Sequence, residues 1–422
     1  MTFGQGKFLA AALYSLAATA ALAADIPLDG IETAKPRYAV IASPGTLESH
    51  EWRAVAEALA AKHGDEADMC IIVAESPTNA LAKLRETRPR YAAFVMRPDE
   101  FGNATLVALK RMMRRIDDDP FDDAIWGIVT GPDSATALRI AKSEEPKTVR
   151  SVLATTGVAE DVAEGEVTVI SDATPPGEWW RKGADGTVAR HSVTGSVERI
   201  FAEAWASTDP ELILTSSHAT ERNLEMPFSR GNVIATNGIF ATTPKVKWNG
   251  EALALAAPET EKVWLAAGNC LIANHTANDD MVMTALSFGK VNQFSGYIKK
   301  TWFGFAGWTT WRYFGQLGYP LNVSHYAANQ WLILKLQMGN AVDGRDKAGL
   351  LWDLDATVFY GDPMQRVYTA GADSAKDHGE TPIVVVFPSS YTPLKRRITN
   401  IPKGWRYYEF DDFALIFQRG EE

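Results

Sequence analysis

The sequence of 422 residues is poor in cysteine, in positive charge and in long apolar runs. It has two cysteines, Cys70 and Cys270, so there is little choice of a reactive thiol. The 42 Lys and Arg residues are outnumbered by 52 Asp and Glu residues, which gives a formal charge of −10. This balance argues against nucleic acid as a partner, because phosphate binding needs a basic field.

The common motifs for metals and nucleotides are also missing. There is no Cys-x-x-Cys, His-x-x-x-His or His-Glu-x-x-His spacing, no Gly-x-Gly-x-x-Gly and no Gly-x-x-x-x-Gly-Lys-Ser/Thr loop. We therefore expect neither a metal centre nor another cofactor. The one alternative is a structural calcium site in the acidic run 117–123, whose density of carboxylate oxygens suits that cation.

The amino terminus has the pattern of a secretory signal peptide. Lys7 precedes an apolar stretch at residues 8–23, and Ala21 and Ala23 form a small-x-small cleavage pattern. The stretch is shorter than the ~20 residues that span a bilayer, which disfavours the alternative of a membrane anchor. We predict that residues 1–24 are a signal peptide, that the mature chain has no membrane span, and that the protein is secreted or periplasmic.

Strand and helix patterns alternate along most of the chain. Apolar strands are predicted at residues 38–42, 69–73, 91–96 and 125–129, each followed by a helical pattern. Strands that are apolar throughout indicate a parallel sheet covered on both faces. The predicted fold class is therefore a doubly wound, mostly parallel α/β sheet. Cys70 lies inside one of these strands and is expected to be a small buried apolar residue.

The length exceeds the ~250–300 residues that one hydrophobic core usually supports, so several units are expected. We predict an N-terminal α/β subdomain at 36–150, a junction or insertion at 151–204 and a catalytic α/β subdomain at 205–365. After residue 365 the pattern changes to strands and turns, which predicts a small β-rich unit at 366–422.

Two apolar strands end in reactive side chains. The run at residues 212–214 leads to His218, and the run at residues 263–267 leads to Cys270. In an open parallel sheet, ligands bind where the loops leave the carboxyl ends of the strands. A histidine and a cysteine placed together there can act as a base and a nucleophile. His275 lies close to Cys270 in sequence but has no such strand-end context.

This arrangement resembles the gingipain-like branch of the caspase-like cysteine peptidases, in which the catalytic His follows one strand and the catalytic Cys follows the next. The spacing of 52 residues between His218 and Cys270 is of the usual size for that family. The segment 361–363, Gly-Asp-Pro, is similar to the one that closes the gingipain catalytic domain. The family usually has Gly after the His, where this chain has Ala219.

The resemblance implies a cysteine endopeptidase that acts on a peptide or protein substrate. Cys270 would be the nucleophile and His218 the base, with the backbone N–H groups of Ala219 and Cys270 as oxyanion donors. It also implies that Asp118 lines a pocket for Arg or Lys side chains. For Asp118 a solvated loop is the alternative.

An aromatic stretch that includes Trp302 and Trp308 corresponds to the region that walls the substrate cleft in caspase-like enzymes. Core packing is the alternative for these tryptophans, because aromatic side chains bury large areas anywhere. Ala219 keeps open a second function, a non-catalytic binding or assembly module with the same fold. The sequence does not indicate an oligomeric state.

Overall fold

The structure is a computed structural model. It describes residues 37–370 except 119, 146, 163, 172–177, 193–195, 245–251, 302 and 338–342, together with short strands outside this range at 25–27, 383–386, 397–399, 406–409 and 413–417. The predicted signal peptide lies outside the described residues. Within them, no helix is both long enough and apolar enough to cross a membrane.

Strands and helices alternate as the sequence pattern predicts. The strands are β1 (Asp25–Pro27), β2 (Arg37–Ala42), β3 (Asp68–Val73), β4 (Tyr91–Val95), β5 (Ile125–Val129), β6 (Lys147–Val149), β7 (Ser151–Ala154), β8 (Glu166–Val169), β9 (Glu178–Lys182), β10 (Val188–Ser192), β11 (Leu212–Thr215), β12 (Asn223–Glu225), β13 (Asn232–Thr236), β14 (Ile239–Thr243), β15 (Leu253–Ala254), β16 (Lys262–Ala266), β17 (Val291–Tyr297), β18 (Thr357–Tyr360), β19 (Val367–Thr369), β20 (Ile383–Val386), β21 (Arg397–Thr399), β22 (Arg406–Glu409) and β23 (Phe413–Phe417). The helices are α1 (Pro44–Glu48), α2 (His50–His63), α3 (Leu81–Thr87), α4 (Asn103–Met113), α5 (Ser134–Ala141), α6 (Val197–Thr208), α7 (Met281–Leu286), α8 (Phe305–Trp311), α9 (Leu321–Gln337) and α10 (Gly344–Asp353).

One sheet of 12 strands organises the molecule, in the order β10-β9-β8-β7-β11-β16-β17-β18-β5-β4-β2-β3. Neighbours pair in parallel except β10 with β9, β9 with β8, and β17 with β18. The chain between β11 and β16 forms a separate four-stranded antiparallel sheet, β12 to β15, which we call the inserted sheet. The predicted fold class, an α/β fold with a mostly parallel sheet, is confirmed.

Local sequence explains how the elements form. Helix α2 begins after Ser49, whose hydroxyl accepts a hydrogen bond from the N–H of Trp52 at 3.5 Å, and its last residue is followed by Gly64. Its buried residues Val55, Ala56 and Leu59 recur at helical spacing. Strands β4 and β5 are buried at every residue, as expected for strands with helices on both faces.

The predicted junction at 151–204 supplies β7 to β10, which extend the main sheet at one end, and the start of α6. On the other side of β11 and β16, beyond β17, strand β18 meets β5 through one residue pair, Tyr360 and Ile128. The C-terminal strands β20, β23 and β22 form a separate antiparallel sheet. The domain boundaries themselves stay a prediction.

A buried carboxylate fixes the chain directly after β18. Asp362 is fully buried and accepts hydrogen bonds from Lys62 Nζ at 2.9 Å and from the Tyr38 hydroxyl at 2.9 Å, and it contacts His63 Nε2 at 2.7 Å. Burial opposes its charge, but Lys62 and His63 outweigh this and hold the pKa of Asp362 well below its usual range. We call these four residues the Asp362 cluster. It attaches the end of β18 to β2 and α2.

The Asp362 cluster predicts a specific pH dependence of stability. Because the pKa of Asp362 is lower in the folded chain, the carboxylate stabilises the fold above about pH 4, and this contribution is lost as the pH falls further. Asp362→Asn should lower the free energy of unfolding at pH 7 by about 3 to 5 kcal/mol, because it leaves the ammonium group of Lys62 without its buried counter-charge. Urea unfolding between pH 3 and pH 7 measures both effects.

The control for this experiment is Glu86→Gln, because Glu86 pairs with Lys83 on the surface and should change little. The difference between Asp362→Asn and the parent protein should shrink as the pH is lowered. Equal stabilities at pH 7, or a difference that does not depend on pH, would contradict this account of the cluster.

Candidate active site

Strands β11 and β16 bring the two predicted reactive residues to the same edge of the sheet. They pair in parallel, with Leu212 opposite Val263 and Thr215 opposite Ala266. Both strands are buried at every residue. The N–H of Ala267 continues the pairing by donating to the carbonyl of Thr215 at 2.8 Å. The chain therefore leaves both strands at the same level, three residues before His218 and four before Cys270.

His218 and Cys270 line one cleft with a volume of about 240 Å³. His218 is exposed and Cys270 is half-buried, so both side chains are accessible from this space. We call it the Cys270 cleft; it is lined by Ser217, His218, Glu225, Met226, Ser229, Gly268, Cys270 and Thr301. The combination of an imidazole and a thiol in one accessible cleft suits nucleophilic chemistry.

The sulfur of Cys270 is held from the side of β17. The N–H of Thr301 donates to Cys270 Sγ at 3.3 Å, and the sulfur lies 3.6 Å from the carbonyl oxygen of Thr301. The next residue, Leu271, has a φ of 59°, which L-residues adopt at a cost of about 1–2 kcal/mol. The N–H of Leu271 donates to the carbonyl oxygen of Lys299 at 3.1 Å. These bonds turn the chain sharply after the candidate nucleophile.

The two loops are joined by the side chain of Asn269, which is fully buried. Its Nδ2 donates to the carbonyl oxygen of Ser217 at 2.9 Å and to the Ser217 hydroxyl at 3.2 Å. Its Oδ1 accepts from the Thr215 hydroxyl at 2.6 Å. The residue before Cys270 is thus bonded to the residue before His218. Asn269 is not among the residues predicted from the sequence, although its place directly before the cysteine is a usable signal.

Ala219, the residue after His218, pairs with the inserted sheet through its backbone. Ala219 forms an isolated antiparallel bridge with Leu224, whose bonds run from Thr220 N to Asn223 O at 2.9 Å and from Glu225 N to His218 O at 2.8 Å. This type of bridge does not use the N–H of Ala219. The φ of Ala219 is not positive, so alanine in place of glycine adds no backbone strain here.

Among the described residues, neither Asp118 nor Trp308 lines the Cys270 cleft. Asp118 is exposed in the loop before β5 and is not among the residues that line the Cys270 cleft. Trp308 is half-buried and packs against the core, and it is not a lining residue. Trp302 lies outside the described residues. Among the described residues that line the cleft, the acidic one is Glu225 on β12, which was not predicted from the sequence because it lies within the inserted sheet.

His275 and Cys70 lie in surroundings different from those of the pair in the cleft. His275 is buried, and its ring nitrogens lie 3.1 Å from Asp280 Oδ2 and 3.0 Å from the carbonyl of Pro98. Both nitrogens are therefore engaged away from Cys270. Cys70 is half-buried on the end strand β3, and burial raises the pKa of its thiol. Neither residue competes with the pair in the cleft.

A separate group of potential metal ligands lies outside the cleft. Among the described residues, His63, Glu145 and Asp362 have ligand atoms within 4.8 Å of one another. The ammonium group of Lys62 already lies 2.9 Å from Asp362 Oδ2 and supplies the positive charge that a metal would bring. In the acidic run 117–123, Asp119 is outside the described residues, and the alternative of a calcium site there stays a prediction.

Comparison with known proteins places this geometry in a class of folds. No family model and no curated protein matches the chain in sequence. Among solved structures, gingipain R, an arginine-specific cysteine proteinase, is similar over 93% of this chain and 93% of its own, with a TM-score of 0.50 and 8% identity. The match to a second structure, described only as a protease, covers 91% of this chain and 92% of that protein's chain, with a TM-score of 0.47 and 10% identity. The chain therefore has a gingipain/caspase-like fold.

Proposed function

We propose that the protein is an exported cysteine endopeptidase in which Cys270 is the nucleophile and His218 the general base and acid. The observation that carries this proposal is that both side chains line one accessible cleft at the carboxyl ends of paired parallel strands. The fold shared with gingipain R supports it, since that protein is a cysteine proteinase. Export rests on the signal-peptide pattern at residues 1–24.

The chemistry follows from the residues in the cleft. An ordinary thiol is mostly protonated at neutral pH, so the imidazole of His218 takes the proton from Cys270 and the thiolate attacks the peptide carbonyl carbon. The C–N bond then breaks as the imidazolium gives its proton to the leaving amine. A water molecule, deprotonated by His218, attacks the thioester, releases the new carboxyl group and restores the thiol.

The developing negative charge on the carbonyl oxygen needs N–H donors. The backbone N–H groups of Ala219 and Cys270 are the proposed pair, because they lie on the two loops that face the cleft. The bridge with Leu224 does not use the N–H of Ala219, and alanine has no positive φ here; both observations support that assignment.

A thiol-reactive peptide probe tests the proposed pair. In a Cys70→Ala background, the probe should label Cys270 stoichiometrically, and His218→Ala should slow labelling by roughly 10²- to 10⁴-fold, the usual contribution of a positioned base. Mass spectrometry of the labelled peptide measures the rate.

The matched control for labelling is His50→Ala, because His50 is an exposed histidine on α2. It should label as fast as the parent protein. If His218→Ala also labels at the parent rate, the dyad is wrong and the non-catalytic module becomes the better account.

For specificity, we propose that Glu225 recognises an Arg or Lys side chain at the cleaved position of the substrate. A carboxylate that lines the cleft would pair with a cationic side chain through a charge-assisted hydrogen bond. Glu225→Gln should therefore reduce kcat/KM for peptides with Arg or Lys by roughly ten- to a hundredfold, the value of such a bond. Cleavage profiles of a peptide library measure this preference.

Asp118→Asn is the control for specificity, since Asp118 is exposed in the loop before β5. It should leave the profile unchanged. A preference for acidic or apolar residues that Glu225→Gln does not alter would refute the assignment of Glu225. If Asp118→Asn changes the profile instead, Asp118 is the residue that recognises the Arg or Lys side chain.

A further inference from the structure

A line of buried polar contacts runs from β16 to the loop that carries His218. The indole N–H of Trp264 donates to the Thr215 hydroxyl at 3.0 Å, and this hydroxyl donates to Asn269 Oδ1 at 2.6 Å. Asn269 Nδ2 then donates to Ser217. We infer that Asn269 is a positioning residue, whose side-chain amide holds the His218 loop in register with the Cys270 loop. This inference rests on the proposed function of the two residues.

The contacts require an amide at this position. Asn269 accepts one hydrogen bond and donates to two oxygen atoms of Ser217 within the same buried site. Aspartate would keep the acceptor for Thr215 but would face the carbonyl of Ser217 with a second acceptor. An apolar side chain would leave the half-buried Ser217 and the fully buried Thr215 without these bonds.

The amide acts where the two loops are closest. A Cβ atom on Gly268 would lie 2.3 Å from Ser216 Oγ, so the loops approach each other as nearly as their atoms allow. Asn269 and Ser217 are the next residues along the two loops, and each is followed by a reactive residue. A small shift at this bond would therefore move the imidazole relative to the sulfur, and displacements of about 1 Å can cost roughly a hundredfold in rate.

The same amide also stabilises the wall of the cleft. The Ser217 hydroxyl donates to the carbonyl of Glu225 at 2.7 Å, which connects the His218 loop to β12. On the far side, the N–H of Thr301 holds Cys270 Sγ. Asn269 therefore links the sulfur-bearing loop directly to the loop that carries His218 and, through Ser217, to the strand that carries Glu225.

The experiment measures alkylation of Cys270 by iodoacetamide between pH 5 and pH 9 in a Cys70→Ala background. At neutral pH the parent protein should react faster than His218→Ala. Asn269→Ala should react roughly ten- to a hundredfold more slowly than the parent protein, with a pH profile close to that of His218→Ala. Combined with His218→Ala, Asn269→Ala should have no further effect, since its action passes through the imidazole.

Two further variants separate positioning from folding. Asn292→Ala removes another buried asparagine near the start of β17, where Nδ2 donates to Glu261 Oε2 at 2.6 Å. It should lower the melting temperature without changing the pH profile of alkylation. Asn269→Asp keeps the shape of the side chain and the acceptor for Thr215, so it provides the same test if Asn269→Ala does not fold, and it should show the same loss.

The outcomes distinguish the inference from the function on which it rests. If His218→Ala alone leaves alkylation unchanged, the proposed dyad falls and the inference falls with it. If His218→Ala slows alkylation but Asn269→Ala and Asn269→Asp react like the parent protein, only the inference is wrong. If Asn269→Ala slows alkylation equally in the His218→Ala background, its effect is structural and the inference is overturned.

Discussion

The parallel pairing of β11 with β16 is the constraint on which the candidate site depends. Both strands are buried along their whole length, so polar side chains can emerge only where the chain leaves the sheet. Because the strands are in register to their last residues, the loops that carry His218 and Cys270 start at the same level. Strand β17, on the other side of β16, then leads to Thr301, which supplies an N–H to the sulfur.

The surrounding sheet is held to this centre by buried polar groups on both sides. The Asp362 cluster attaches the end of β18 to β2 and α2. Near the cleft, Asn103 at the start of α4 donates to Asn274 and to the carbonyl of Ile298, and His275 reaches the carbonyl of Pro98. His275 therefore serves to join the loop after β4 to the loop after β16, which explains a buried histidine so near the candidate nucleophile.

The apolar patterns predict the fold because burial on both faces acts on each strand locally. The strand predicted at 91–96 is β4, Tyr91–Val95. Helix ends are harder to read from the apolar pattern. After β4 this pattern continues to Ile116, but α4 ends at Met113 and Ile116 is buried in the segment that follows the helix.

Contacts between distant segments account for what the sequence did not reveal about the site. Strand-end position was enough to select His218 and Cys270, since parallel strands align their own ends. The acidic residue of the cleft could not be found in this way, because Glu225 reaches the cleft from the inserted sheet and does not follow one of the parallel strands. Asn269 was missed for a similar reason. Its partners Thr215 and Ser217 are more than fifty residues away in sequence, and only the pairing of β11 with β16 brings them close.

The most direct test of the site is a crystal structure of the protein with a peptidyl chloromethyl ketone bonded to Cys270. The account predicts that a ring nitrogen of His218 lies within about 3.5 Å of the sulfur or of the bonded carbon. It also predicts that the N–H groups of Ala219 and Cys270 point at the ketone oxygen from about 3 Å. A His218 ring that stays more than about 8 Å from the sulfur, or a ketone oxygen directed into solvent, would contradict the account.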